Sequence, residues 1–250
     1  GNLTNEEGLV KSRPFRSPHH TASGVALTGG GTKPRPGEIS LAHRGVLFLD
    51  ELPEFSKQIL ETLRQPLEEG IIHVSRAAGA FSYPANFMLI AAMNPCPCGY
   101  YHDNEKECTC GVTQVINYQK KISGPILDRI DIHIKVPRIK FEKFTDKKHS
   151  ECSENIKKRV RNAREIQLRR FTNRSFNLNG EMDSETTHNI CEINNESRQL
   201  LKMAVEKMSL SPRGYFKILK ISKTIADLEN KSHIETKHIS EALQYRSVED

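Results

Sequence analysis

Two carboxylates, Asp50 and Glu51, close the apolar run Val46-Leu47-Phe48-Leu49. A short apolar run bounded by polar residues reads as a buried strand, and ligands of parallel α/β sheets bind at the carboxyl ends of the strands. A carboxylate fixed there can hold Mg²⁺ through its waters, and a second can orient and polarise a water that attacks a phosphate. Asp50 suits the first role and Glu51 the second. An acidic pair at a helix start is also what the helix dipole favours, so the pair alone leaves both readings open. A second apolar run, Phe87 to Ala92, leads to Met93-Asn94. Asn94 at the tip of a strand beside Asp50 and Glu51 can fix the same water, although asparagine is also common where strands turn. The third group is sulfur. Cys96-Pro97-Cys98 and Cys108-Thr109-Cys110 are two close pairs, and four thiolates can form a tetrahedral Zn²⁺ site. Such a site is structural, because four protein ligands leave no open position. Reduced free thiols and disulfides are the alternatives, the latter disfavoured in a cytosolic context, and His102 is a spare ligand. Cys152 and Cys191 lie apart and read as ordinary buried residues.

The elements that must position these groups follow from periodicity and punctuation. Residues 1–45 are rich in Gly, Pro and Ser and read as loop with a short hairpin. After Val46 to Leu49, the residues Phe55, Ile59, Leu60, Leu63 and Leu67 share one helical face, and Gly70 is the stop. Ile71 to Val74 and the stretch around Phe81 read as a hairpin, with Phe87 to Ala92 as a second buried strand. A short helix is expected over 114–121. Ile130 to Val136 alternates strictly and Pro137 closes it, which predicts a strand. Beyond Pro137 the pattern is helical, over 151–171, 195–208, 212–230 and 236–247. Ser211 and Pro212 have the types of an N-cap and a first helical residue, with Arg213 next. Strands alternating with helices, then helices alone, predict an α/β core over 1–140 followed by an all-helical domain over 141–250.

The chain has 250 residues, a formal net charge of +6, 36% hydrophobic and 27% charged residues, and no Trp. No apolar run approaches the ~18 residues of a membrane span. Long periodic apolar stretches exclude a wholly disordered chain, and six Cys in this length is sparse for a disulfide scaffold. The chain opens on Gly1 with no basic segment leading into an apolar one, so no secretory leader is expected and the expected location is cytoplasmic. Charge is uneven: residues 138–174 hold 13 Lys/Arg against 5 Asp/Glu. That is the footprint of a polyanion partner or a solvated helix face.

Several stretches together resemble one family. They are Arg13-Pro14-Phe15-Arg16-Ser17-Pro18-His19-His20, Pro36-Gly37-Glu38-Ile39-Ser40-Leu41-Ala42-His43, Gly45 to Phe55, Ala91 to Tyr100, and Ser123-Gly124-Pro125-Ile126-Leu127-Asp128-Arg129-Ile130-Asp131. In order and spacing they resemble the magnesium-chelatase-like AAA+ ATPases of the ComM/YifB family, from about residue 9 to 248. The resemblance implies an AAA+ core of parallel strands with a helical lid, ATP and Mg²⁺ as cofactors, and a homo-oligomeric, hexameric ring. It makes Asp50 and Glu51 the Walker B pair, Asn94 the sensor-1 residue, Arg129 the arginine finger and Arg213 the sensor-2 arginine. It also likens the 72–83 hairpin to an insertion that related ring ATPases project into the central pore, where Arg76 could touch a translocating strand through phosphate; an ordinary surface hairpin is the alternative. Taken singly, Arg129 reads as an ion-pair partner of Asp128 or Asp131, and Arg213 as a surface residue. Adjacent His19 and His20 cannot share a face as metal ligands would, and read as structural.

One departure is large. No G-x-x-x-x-G-K-[ST] phosphate loop occurs, and Gly29-Gly30-Gly31-Thr32-Lys33 lacks its spacing and is followed by Pro34 and Pro36 rather than a helix. In the family that loop precedes the Arg-Pro-Phe-Arg stretch, so the chain is expected to be a fragment of an ATPase, truncated on the N-terminal side of its core and inactive alone. Three functions compete: an ATP-driven DNA motor of the branch-migration helicase kind, as in natural transformation; protein remodelling of the magnesium-chelatase kind; and a zinc-bearing interaction module without catalysis.

Overall fold

The computed structural model describes residues 12–31, 34–76, 79–103, 105–137 and 151–246. The domain boundary expected at residues 140–141, the basic residues between 138 and 150, and Thr32-Lys33 of the glycine stretch lie outside the described residues. The chain divides between Ile130 and Asp131 into two compact units.

In chain order the first unit contains β1 (Phe15–Arg16), helix Gly24–Thr28, β2 (Gly29–Gly30), β3 (Arg35–Pro36), helix Glu38–Leu41 and β4 (Val46–Leu49). Helices Lys57–Thr62 and Arg64–Glu69, β5 (Ile71–Arg76), β6 (Gly79–Pro84), β7 (Met88–Ala91) and helices Val112–Gln119 and Gly124–Leu127 complete it. The main sheet is parallel, in the order β1-β4-β7. Parallel neighbours need crossovers, and the helices between the strands supply them. Leu47 and Leu49 of β4 point into a core with Ile39, Leu60, Leu63 and Ile126, while Phe48 stacks on Phe15, ring centres 6.2 Å apart. Gly45 opens β4 because a Cβ there would lie 1.9 Å from the Pro14 carbonyl oxygen.

Three expectations change here. The single helix expected before Gly70 is two, broken at Leu63, because Pro66 has no N–H and is tolerated only in the first turn of a new segment. Gly70 closes the second at φ 65°. The Phe87–Ala92 run forms a strand that is largely exposed, with Met88 55% and Ile90 43% accessible. Among the described residues β7 is the edge of the sheet, with only β4 beside it. Ile130 to Val136 forms no strand: alternation supplies an apolar face, but a ladder needs a partner strand, and none pairs with it among the described residues. Ile134 and Val136 are exposed.

The second unit is helical: Ser153–Arg170, Ser184–Ile190, Asn195–Lys207, Pro212–Leu228 and Thr236–Gln244. Phe171, Met182, Leu201, Ile218, Leu219 and Ile239 form its core. Ser211 accepts from the Gly214 N–H at 3.1 Å, capping Pro212–Leu228. Fully buried Asp227 accepts from both terminal nitrogens of Arg170, at 2.8 and 2.5 Å, and from Asn179 Nδ2 at 2.8 Å. Cys191 is buried, as expected, and burial pushes its thiol up to about 11. Cys152 is exposed, at the cap position of Ser153–Arg170, where a helix starts and no core lies above it. Among the described residues no helix is long and apolar enough to cross a membrane.

Candidate functional site

β4 and β7 run in register, Leu49 opposite Ala91, and their pairing continues past the strand ends. The Ala92 N–H donates to the Leu49 carbonyl and the Leu52 N–H to the Ala92 carbonyl, both at 3.0 Å. Asp50, Glu51 and Asn94 therefore share one carboxyl edge of the sheet, and all three are exposed. Asp50 Oδ1 accepts from the Glu51 N–H at 2.9 Å. Glu51 takes φ 51°, ψ 46°, a left-handed conformation that costs a non-glycine residue energy and clusters at functional sites. The turn is held by Leu52–Glu54, where the Glu54 N–H returns to the Glu51 carbonyl at 2.7 Å.

A residue the sequence reading left without a mechanism joins this edge. His20 Nδ1 lies 3.2 Å from Glu51 Oε2. Its ring lies against that of His19, centres 4.1 Å apart and tilted by 34°, and meets Phe55 edge-on at 6.3 Å. Register accounts for it: Arg16 of β1 pairs with Leu47 of β4, and His20 and Glu51 each lie four residues beyond those partners. Only the parallel pairing of β1 with β4 reveals this, and a two-residue strand leaves no periodic trace.

Helix Val112–Gln119 braces the Asn94 side, with Gln119 Nε2 donating to the Pro95 carbonyl at 3.2 Å. Tyr118 is buried beneath it. Burial first, and then the negative charge of Glu54, push its phenol up, while the Asn94 backbone N–H acts against them. Arg129 lies just past helix Gly124–Leu127 in the same unit and is mostly buried. Nη2 meets Glu68 Oε1 at 2.7 Å and Nη1 donates to the Pro125 carbonyl at 2.6 Å. Glu68 is an ion-pair partner that the residues flanking Arg129 do not suggest. Arg213 belongs to the other unit, exposed in the first turn of Pro212–Leu228. The backbone of Arg76 ends β5 opposite Gly79 in the antiparallel β5-β6 hairpin; its side chain lies outside what the structure describes.

The four expected thiols come together. Cys96, Cys98, Cys108 and Cys110 place their sulfurs within 4.8 Å of one another. The Cys96–Cys98, Cys98–Cys108 and Cys96–Cys108 separations are 3.4, 3.5 and 3.7 Å. A tetrahedron with Zn–S bonds of about 2.3 Å has S···S edges of about 3.8 Å, whereas a disulfide needs about 2.05 Å. The donor set therefore fits one tetrahedral metal ion. The Tyr101 N–H donates to Cys96 Sγ at 3.3 Å. The Tyr100 backbone N–H, above all, draws the Cys98 thiol down to about 5. Cys108 is pushed up to about 12: the Cys110 N–H favours its thiolate, but desolvation and the neighbouring thiols Cys98 and Cys96 outweigh it. His102, the spare ligand, is not in the group; its ring lies against Tyr101, centres 4.0 Å apart.

A parallel α/β sheet with an acidic strand tip, followed by a helical unit, is the architecture of an AAA+-type protein. Family comparison agrees. Residues 1–144 match the family model described as magnesium chelatase, subunit ChlI, and residues 150–246 match the model for the C-terminal part of that subunit. The chain belongs to the magnesium chelatase ChlI family. It is 44% identical over 241 residues to the competence protein ComM of Haemophilus influenzae, a match spanning 95% of this chain and 46% of that protein. It is 42% identical over 252 residues to the uncharacterized protein YifB of Escherichia coli, spanning 99% and 48%. A shorter match, 30% over 110 residues, is to the DNA replication licensing factor MCM2 of Oryza sativa, spanning 44% and 10%. The chain spans about half the length of ComM and YifB.

Proposed function

We propose that this chain carries the water-activating edge and the helical lid of an ATP-hydrolysing AAA+ motor that acts on DNA. The observation that carries the reading is the shared edge of β4 and β7, where Asp50, Glu51 and Asn94 lie just beyond the ends of adjacent parallel strands. Asp50 would hold Mg²⁺, whose charge lowers the barrier to phosphoryl transfer. Glu51 takes a proton from the attacking water, and Asn94 keeps that water in line. Arg129 serves a neighbouring subunit of a hexameric ring, where its guanidinium stabilises phosphoryl charge once it leaves Glu68. Arg213 lies in the helical lid over 141–250, where it is the sensor-2 arginine, and the core occupies residues up to about 140. The phosphate-binding loop missing from these 250 residues is supplied by the remainder of a protein as long as ComM and YifB, so the chain alone does not turn over ATP. The four cysteines hold a structural Zn²⁺ that fixes the segment between Asn94 and helix Val112–Gln119.

DNA is favoured over a protein substrate by the name of ComM, a competence protein, by the MCM2 match, and by charge. Helix Ser153–Arg170 carries Lys157, Lys158 and Arg161 exposed on its surface, and Arg76 at the hairpin can add a phosphate contact. Steady-state ATP turnover of the whole protein, with and without DNA and across a salt series, tests the reading. Turnover raised by DNA, with binding that weakens steeply as salt rises, supports it. Turnover indifferent to DNA, with no binding at low salt, favours remodelling of a protein partner. Absence of nucleotide binding leaves the zinc-bearing interaction module.

A further inference from the structure

We infer that His20 is a positioning residue for Glu51. The inference rests on the reading of Glu51 as the base. A base must be in place before the water arrives, and a glutamate side chain has three torsions to restrain. Glu51 is 56% exposed, so packing does not restrain it. His20 is 28% exposed, and its ring is confined by His19 on one side and the edge of Phe55 on another. The more rigid partner is thus the imidazole, and its Nδ1 stands 3.2 Å from one carboxylate oxygen. The structure gives this pair as an ion-pair approach; a carboxylate only accepts, so the proposed bond runs from Nδ1–H to Oε2. That bond fixes the end of a side chain whose backbone is already held in a left-handed turn. It occupies one oxygen and leaves the other to accept the proton of the attacking water. The arrangement is the second-sphere histidine–carboxylate logic in reverse: here the histidine orients the carboxylate.

Two measurements test the assignment, one through activity and one apart from it. In the whole protein, His20→Ala should lower kcat for ATP on the order of 10-fold while leaving the KM for ATP within about two-fold, the pattern of lost alignment rather than lost binding. His20→Asn, whose Nδ2 stands close to the position of Nδ1, should recover most of that loss. In a Glu51→Gln background, His20→Ala should add nothing, because the group it positions is gone. A kcat unchanged in His20→Ala, a kcat that rises, or an equal loss in the Glu51→Gln background would each overturn the proposal. The second measurement needs no turnover. Imidazole ¹⁵N spectra of selectively labelled protein should show His20 protonated at Nδ1 in the wild type, and that state should be lost in Glu51→Gln. An Nε2-protonated His20, or a spectrum indifferent to Glu51→Gln, would overturn it. Failure of the ATPase reading would abolish turnover in every variant while leaving the spectra to decide on His20.

Discussion

Removing one sulfur from the cysteine cluster should unlock a whole segment. Cys96 and Cys108 lie at the two ends of a loop, their sulfurs 3.7 Å apart. Closing a loop of about 15 residues removes roughly 3 kcal/mol of chain entropy from the unfolded state, and a metal bridge acts on the same ensemble. The loop has little else to order it: Pro97, Glu105 and Lys106 are exposed, and Cys96 is its only fully buried side chain among the described residues. Cys108→Ser should therefore cost about 3 kcal/mol in metal-replete protein, a fall of roughly 10 °C in melting temperature for a unit of this size. The assay is differential scanning calorimetry of wild type and Cys108→Ser, each with zinc and with chelator, alongside elemental analysis and thiol titration. Chelator should lower the wild-type transition to that of the variant and should not move the variant further. Wild-type protein that melts identically with and without chelator, contains no zinc and reacts at all four thiols would refute the reasoning.

Other predictions follow from single contacts. Asp227→Ala leaves Arg170 and Asn179 without their shared acceptor and should cost about 3–5 kcal/mol, measured by urea unfolding. A loss below 1 kcal/mol would mean that water replaces the carboxylate. Ser211→Ala removes the cap of Pro212–Leu228 and should cost about 1 kcal/mol in the same assay, with Ser211→Asp restoring it. In the whole protein, Arg129→Ala subunits mixed with Glu51→Gln subunits should regain part of the ATP turnover, because each lacks what the other supplies in trans; no recovery at any ratio would count against a finger role. Hydrogen bonds from Arg64 and then Ser123 hold the Glu61 carboxyl below its usual range. Its contribution is present above that range and fades as pH falls through the lowered value. The stability gap between wild type and Glu61→Gln should shrink on acidification, and a gap constant with pH would contradict the assignment.

The sequence made some of this legible and hid the rest for physical reasons. β4 and its acidic tip were readable because four apolar residues run into two carboxylates, and Leu47 and Leu49 are indeed buried. The cysteine pairs were readable from spacing alone. The helices from 153 to 244 announced themselves by periodicity, except Ser184–Ile190, whose residues are mostly polar; its one clue was Asp183, which accepts from the Thr186 N–H at 2.7 Å. β1 was hidden because two residues show no alternation, and with it the approach of His20 to Glu51. The Arg129–Glu68 pair was hidden because its partners are distant in the chain, and only packing joins them. Ile130 to Val136 misled because alternation reports a face and not a neighbour.

Turnover in the intact protein tests the account most directly. ATP hydrolysis and nucleotide binding are measured on the same samples of wild type and Glu51→Gln. The account predicts Mg²⁺-dependent hydrolysis in the wild type, with Glu51→Gln binding ATP as tightly but hydrolysing it about 10²-fold more slowly or worse, the scale of a positioned general base. Hydrolysis that persists undiminished in Glu51→Gln would contradict it.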